Sequence, residues 1–295
     1  MKTFLDCIPC LMKQALQTVR QVTENEKVWE EVLRSALFLA SKMDYTKPPA
    51  MIGREIHSEI RKLTSDRDPY AKIKEKANQV ALKLKPRLRE EIKKSEDPFD
   101  LAIRYAIAGN ILDFALYSGW DDERFLNSLN TAHKKQLDRQ QLEMLRKKVN
   151  QSDKILYIAD NAGETVFDSL LIEQLHPKEI IYAVKGYPII NDALMEDALI
   201  AGIDKYATII DNGTDAAGTI LSLCSRYFMQ VFDNADIVIA KGQANFETLN
   251  DSYREVYFLT QIKCSIIARD LKGNVGDWVI TSSQKHQNTI SLEAI

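Results

Sequence analysis

Four short apolar runs each end in residues that can do chemistry. "KILYIAD" leads into Asp160-Asn161-Ala162-Gly163-Glu164, and "EIIYAVK" into Lys185-Gly186 and then Asn191-Asp192. "YATIID" ends in Asp211-Asn212-Gly213-Thr214-Asp215, and "DIVIAK" in Lys241-Gly242-Gln243-Ala244-Asn245-Phe246-Glu247. Carboxylates and an amide oxygen are hard ligands suited to Mg²⁺, Mn²⁺ or a similar divalent ion, and no thiolate stands among them. Two lysines and glycine-bearing turns that open into helices suit a phosphate, through the ammonium groups, backbone N–H groups and helix dipoles. Together they suit metal-assisted phosphoryl chemistry. Taken singly, each motif also reads as punctuation, because Asp and Asn cap helices and Gly permits turns. Compatible chemistry at all four ends goes beyond what turns and caps require.

These residues need elements to bring them together. The four runs are β-branched and apolar without alternation, as expected of strands buried on both faces. Between them lie "ETVFDSLLIEQL", "DALMEDALIAGI" and "DAAGTILSLCSRYFMQVF", each helical in character. Strand and helix in alternation imply a mainly parallel sheet in an α/β/α layer, Rossmann-like, with ligands outside the carboxyl ends of the strands. "VYFLTQI" and "DWVIT" extend that sheet. Residues 1–150 read instead as an all-helical domain. "KVWEEVLRSALFLASKM" has helical spacing, and "DPFDLAIRYAIAGNILDFALYSG" opens with Asp97 as cap and Pro98 at the first position and closes at Gly119. The expected domains are therefore residues 1–150, helical, and 151–295, holding the metal and phosphate site.

With 295 residues and 45% hydrophobic content the chain can bury a sizeable core. Lys+Arg 39 against Asp+Glu 42, a formal net charge of −3, gives no electrostatic grip on nucleic acid or on an anionic membrane. No run approaches the roughly 18 apolar residues of a membrane span, and "MKTFLDCIPCLMKQ" lacks a signal's apolar stretch. Four cysteines in a chain of this size are not a disulfide framework. A cytoplasmic protein is expected, and no motif sets its oligomeric state.

"DNAGE", "NDA", "DNGTDAAGT" and "KGQANFE", in this order after successive strands, resemble the DUF89 family, the metal-dependent damage-control phosphatases. "AIAGNILDF", with Gly109, Asn110 and Asp113, and "DCIPC" are similar to its mostly prokaryotic branch with an N-terminal cysteine pair. The resemblance covers residues 6 to about 282. It implies a helical domain leaning on an α/β/α domain, with the active site between them. It implies a divalent ion (Mn, Mg, Co or Ni) held by Asp160, Asn161 and Asp192, and hydrolysis of phosphate monoesters of small metabolites, sugar phosphates or damaged phosphometabolites. By the same resemblance Asp160, Glu164 and Lys241 are catalytic, Glu164 orienting water or substrate and Lys241 binding phosphate. The Gly213-Thr214 turn would cradle the phosphate, and Asn245 lies within a motif on the substrate side. Lys185 joins the phosphate site by strand-end position rather than by family, and Asn110 faces the substrate if the cleft lies between the domains.

The expected chemistry is in-line attack by water, with electrostatic stabilisation of the phosphoryl group. An aspartyl-phosphate is the alternative, but haloacid-dehalogenase-type phosphatases place an acid two residues after the first, where Ala162 stands here. Cys7 and Cys10 admit three readings: small residues opening a packed helix, a role near the site together with Cys264, or an accessory metal. Two rival functions remain. An S-adenosylmethionine-dependent carboxyl methyltransferase would normally need a glycine-richer first turn than "DNAGET". A non-catalytic metal- or phosphometabolite-binding sensor could use the same fold.

Overall fold

The computed structural model describes residues 1–110, 127 and 129–284. Its first three helices, α1 (Cys7–Val22), α2 (Glu26–Lys42) and α3 (Pro49–Thr64), are amphipathic and close over a small core of their own. Leu11, Ala15 and Val19 of α1 meet Val32 and Ala36 of α2 and Ile52, Ile56 and Ile60 of α3 there. Helices α4 (Ala71–Lys94), α5 (Pro98–Gly109) and α6 (Arg139–Asn150) follow. Helix α5 starts as its sequence implies: the Asp97 side chain accepts from the Asp100 amide, and Pro98 occupies the first turn. It closes at Gly109 with Asn110 as C-cap. Asp113 and Gly119 lie outside the described residues.

The second half is an α/β layer. Its strands are β1 (Lys154–Ile158), β2 (Glu179–Val184), β3 (Thr208–Asp211), β4 (Ile237–Lys241), β5 (Val256–Gln261) and β6 (Trp278–Ser282), in the order β3-β2-β1-β4-β5-β6. The first five are parallel and β6 runs antiparallel to β5. Between them lie α7 (Glu164–Leu175), α8 (Met195–Ala201), α9 (Arg226–Asn234), α10 (Gln243–Leu249) and α11 (Ser265–Asp270).

Both faces of the sheet are covered, which is why its strands are apolar without alternation. Ile155 and Tyr157 of β1 enter a core shared with α4, α5, α6 and α7, whereas Leu156 and Ile158 enter a second core with α9 and α10. Secondary structure thus changes character near residue 150, while packing divides elsewhere. Helices α4 to α6 share the sheet's core, and α1 to α3 keep a separate one.

Helix α7 is buried nearly all round, with Val166, Phe167, Leu170 and Leu171 almost wholly enclosed. Gly163 at its start lets α4 approach, since a Cβ there would stand 2.9 Å from the Cβ of Ala77. The third expected helix is shorter than its sequence pattern. Residues 212–220 form turns, and α9 begins only at Arg226, capped by Ser225. Side chains of the "DNGT" segment take the Gly213 and Thr214 amides just ahead of the expected helix and the Ala216 amide within it, local bonds that compete with helix.

Strand order reverses between β1 and β4. Connections leave β1 toward β2 on one side and reach β4 and β5 on the other, which opens a crevice at their carboxyl ends. Asp160 follows β1, and Lys241-Gly242 ends β4, at that crevice.

Candidate active site at the crevice between β1 and β4

Beyond the end of β1 the chain stays paired with the loop after β2. The Ala162 amide donates to Asn191 O at 2.9 Å and the Ala193 amide to Asp160 O at 2.8 Å, forming an isolated antiparallel bridge between Asn161 and Asp192. Two backbone hydrogen bonds therefore set Asp160-Asn161 against Asp192 before any side chain is considered. Ile190 helps turn that loop with φ 45, an uncommon setting for a β-branched residue.

Asp160, Asn161 and Asp192 line a cleft of about 260 Å³. From the helical half it is bounded by Cys7, Cys10 and Leu11 of α1 and by Pro49 and Gly53 of α3. Gln243 and Glu247 of α10, and Cys264 ahead of α11, complete it from the sheet side. The site thus lies between the α1–α3 group and the strand ends.

Behind these ligand-type residues lies a buried polar network. Asn110 Nδ2 donates to Asp160 Oδ2 at 2.7 Å and to Glu164 Oε1 at 2.5 Å. Asn161 Nδ2 donates to the same two oxygens at 3.1 and 2.7 Å, so its amide oxygen is the end left for a ligand. Glu164 Oε2 accepts from Lys241 Nζ at 2.9 Å, and Lys241 also donates to Asp168 Oδ1 at 3.0 Å and to Ala106 O at 2.8 Å. Burial alone would depress the Lys241 ammonium, but the Asp168 and Glu164 carboxylates beside it hold it above the ordinary lysine value. Asp168 is pushed up by burial, against the pull of Lys241.

The expected site residues therefore fall into four places. Asp160, Asn161 and Asp192 face the cleft together. Lys185 stands beside Asp192, with Nζ 3.4 Å from its carboxylate and donating to Gly218 O. Glu164, Lys241, Asn110 and Asn245 lie behind, each at 0% exposure. The three donors of Lys241 and both oxygens of Glu164 are used internally, so neither reaches a phosphate or a water in the cleft as placed. Asn245 ties the ends of β1 and β4 together, donating to Ala159 O and Lys241 O at 3.0 and 2.7 Å.

Gly213 and Thr214 line a different hollow, with Arg54, Arg61 and Asp215. Their amides already donate to the side chains of Asp211 and Asn212, so that turn offers no free N–H cradle. Three further residues at the site were absent from the motif reading: Asp168, Tyr157 and Tyr182. An acid four residues after Glu164, one turn on along the same helix, was the available signal.

A divalent ion fits this set by the chemistry of its donors: Asp160 and Asp192 offer carboxylate oxygens and Asn161 an amide oxygen, hard donors all, on a cleft that they line together. Among the described residues no three of His, Cys, Asp and Glu gather as a metal cluster.

Comparison with known proteins shows which family the chain resembles. Residues 3–279 match the family described as the damage-control phosphatase ARMT1-like domain. A damage-control phosphatase of Pyrococcus horikoshii is 36% identical over 283 residues, 92% of this chain and 95% of that protein. Another from Archaeoglobus fulgidus is 32% identical over 280 residues, 92% and 96%. An uncharacterized protein of Methanocaldococcus jannaschii is 35% identical over 287 residues, 93% of each. The crystal structure of a DUF89 family protein from Pyrococcus horikoshii superposes with a TM-score of 0.85 at 34% identity, covering 96% of this chain and 99% of that one.

Proposed function

The chain belongs to the damage-control phosphatase ARMT1-like domain family, and from that premise we propose that it is a divalent-metal-dependent phosphatase acting on phosphate monoesters of small metabolites. The observation that carries this reading is the backbone bridge that sets Asp160-Asn161 against Asp192 at the crevice, where all three line one cleft.

Asp160, Asn161 and Asp192 would hold the ion. When bound, it supplies Lewis acidity at the phosphoryl oxygens and offsets the charge that develops there. The chain's own residues do the rest by position. Asn110 and Glu164 keep the Asp160 and Asn161 side chains from rotating, and Lys241 holds Glu164 in place. Lys185 holds the Asp192 carboxylate from the side and adds a positive charge at the strand ends. Water is the nucleophile: phosphatases that form an aspartyl-phosphate on a first acid pair it with a second acid two residues later, and Ala162 stands at that place here. An acid-stable phosphoenzyme trapped on Asp160 would overturn that last step.

The substrate is a small phosphorylated metabolite, sugar phosphates and damaged phosphometabolites being the first to try, and Mn²⁺, Mg²⁺, Co²⁺ and Ni²⁺ the ions. The four free cysteines accord with a cytoplasmic location. Among the described residues no helix is long and apolar enough to cross a membrane. The test is phosphate release from p-nitrophenyl phosphate and a sugar-phosphate panel by metal-stripped protein resupplied with each ion. Release that depends on the ion and disappears in both Asp160→Ala and Asp192→Ala is expected. Metal binding without release under any ion would point to a sensor instead.

A further inference from the structure

Asp168 has no place in the chemistry described so far, yet it anchors the most enclosed polar cluster in the molecule's described part. It lies on α7 one turn after Glu164. Its Oδ1 accepts from the Tyr157 hydroxyl at 2.7 Å and from Lys241 Nζ at 3.0 Å, and its Oδ2 accepts from the Tyr182 hydroxyl at 2.8 Å. Tyr157 is on β1, Tyr182 on β2 and Lys241 on β4, and all four side chains are at 0% exposure. The two tyrosine rings stack, with centroids 5.4 Å apart.

Fold stability alone does not call for this cluster. Phe, Phe and Leu could fill such volume in a core already rich in them, and burying charged groups together is often no better than burying apolar ones. What the cluster does is fix one ammonium group. Lys241 has three donors, taken by Asp168, Glu164 and Ala106 O, so its position is set by α5 and α7 together. Lys241 then holds Glu164 by its Oε2, and Glu164 Oε1 accepts from Asn161 Nδ2. Glu164 Oε1 and Asp160 Oδ2 both accept from the nitrogen end of the Asn161 amide, so its oxygen is turned the other way. The chain of contacts runs Tyr157 and Tyr182, Asp168, Lys241, Glu164, Asn161.

We propose that Asp168, clamped by Tyr157 and Tyr182, is a positioning residue for the metal site: it fixes Lys241 and thereby Glu164, and so holds the Asn161 amide with its oxygen presented to the ion. The inference rests on the metal reading above and extends it beyond the ligands, to residues that reach them only through other side chains. Outer partners of metal ligands elsewhere affect affinity by about 10- to 100-fold.

The experiment is calorimetric titration of Mn²⁺ into metal-stripped full-length protein. The variants are Asp168→Asn, the double variant Tyr157→Phe/Tyr182→Phe, and Ser169→Ala as control. Ser169 is equally buried on the same helix, but its hydroxyl donates only to Val166 O. Asp168→Asn should weaken Mn²⁺ binding about 10- to 100-fold. The tyrosine pair, which changes no charge, should weaken it by a smaller factor in the same direction, and Ser169→Ala should not. At saturating Mn²⁺, kcat should fall in Asp168→Asn while KM for p-nitrophenyl phosphate holds.

Wild-type affinity in a folded Asp168→Asn protein would overturn the inference. So would an equal loss in Ser169→Ala, which is what general destabilisation produces. A loss in Asp168→Asn with the tyrosine pair unaffected would overturn it too, as the mark of lost charge without lost position. Should Asp168→Asn fail to fold, the tyrosine pair decides alone. If wild-type protein binds no Mn²⁺, the metal reading fails and takes this inference with it; wild-type binding beside an unaffected Asp168→Asn fails the inference only.

Discussion

Asp160 owes its place partly to a residue that has no side chain. Gly242, at the end of β4, adopts φ +80, and a Cβ built there would lie 1.8 Å from Asp160 Oδ2. Gly242→Ala therefore combines backbone strain with a collision against a proposed ligand. It should abolish metal-dependent phosphate release while circular dichroism still reports the fold; release within twofold of wild type would refute the close approach. A second residue-scale prediction concerns pH. His57 is buried between α1 and α3 beside Gln14, and burial, with Arg61 nearby, depresses it from 6.5 to about 4. The unfolded chain thus takes up a proton at a pH where the folded one does not. Stability should be complete above about pH 6.5 and fall as pH drops toward 4, by up to about 3 kcal/mol from this group. His57→Gln should flatten that slope in thermal melts taken between pH 7.5 and 5. An unchanged slope would assign it to carboxylates instead.

Elements carry the next level of organisation. Helix α3 is tied to the strand-end loops by Arg61, which donates to Pro188 O at 3.1 Å and Asp215 Oδ2 at 2.7 Å, and by Arg54, which donates to Asp215 Oδ1. These contacts hold the helical wall of the cleft against the loop that presents Asp192. Asp215 is shared by both arginines, and the three side chains fasten α3 to the strand-end loops. Asp215→Ala should cost about 1–2 kcal/mol, discounted because the arginines are partly exposed. It should lower the melting temperature by a few degrees and leave Mn²⁺ affinity unchanged. Loss of metal affinity without loss of stability would contradict that division of labour.

At the scale of the whole molecule the proposed ion couples to folding, because Asp160-Asn161 and Asp192 come together only when the chain after β1 pairs with the loop after β2. An ion that binds only the folded state stabilises it by RT ln(1 + [L]/Kd), about 2.7 kcal/mol at one hundred times Kd. The melting temperature should therefore rise when Mn²⁺ is added to stripped protein and return with chelator, and Asp192→Ala should lose the rise. A shift that persists in Asp160→Ala and Asp192→Ala would mean the ion binds elsewhere. Net charge, by contrast, is −3 over 295 residues and sets no such coupling.

Much of this was legible in one dimension because its causes are local. Runs buried on both faces lose their alternation, which is why the strands at 154, 179, 208, 237 and 256 and their alternation with helices could be read directly. Asp97-Pro98 announces a helix start by its own capping chemistry. That the residues after β1 and β2 gather was also legible, because parallel strands in a doubly wound sheet must bring their carboxyl ends together, while the family resemblance singled out Asp160, Asn161 and Asp192 among them. Only the tertiary structure decided which polar residues face the cleft and which support it from behind. Lys241 meets Ala106 O across 135 residues and Glu164 across 77, and no spacing in the sequence foretells that all three of its protons are taken there. Gly213 and Thr214 look like a phosphate turn by type, yet Asp211 and Asn212 consume their amides and the turn opens on another hollow. Residue type limits what a side chain can do, but donors and acceptors are shared out among groups distant in sequence, and that sharing is settled only when the chain has folded.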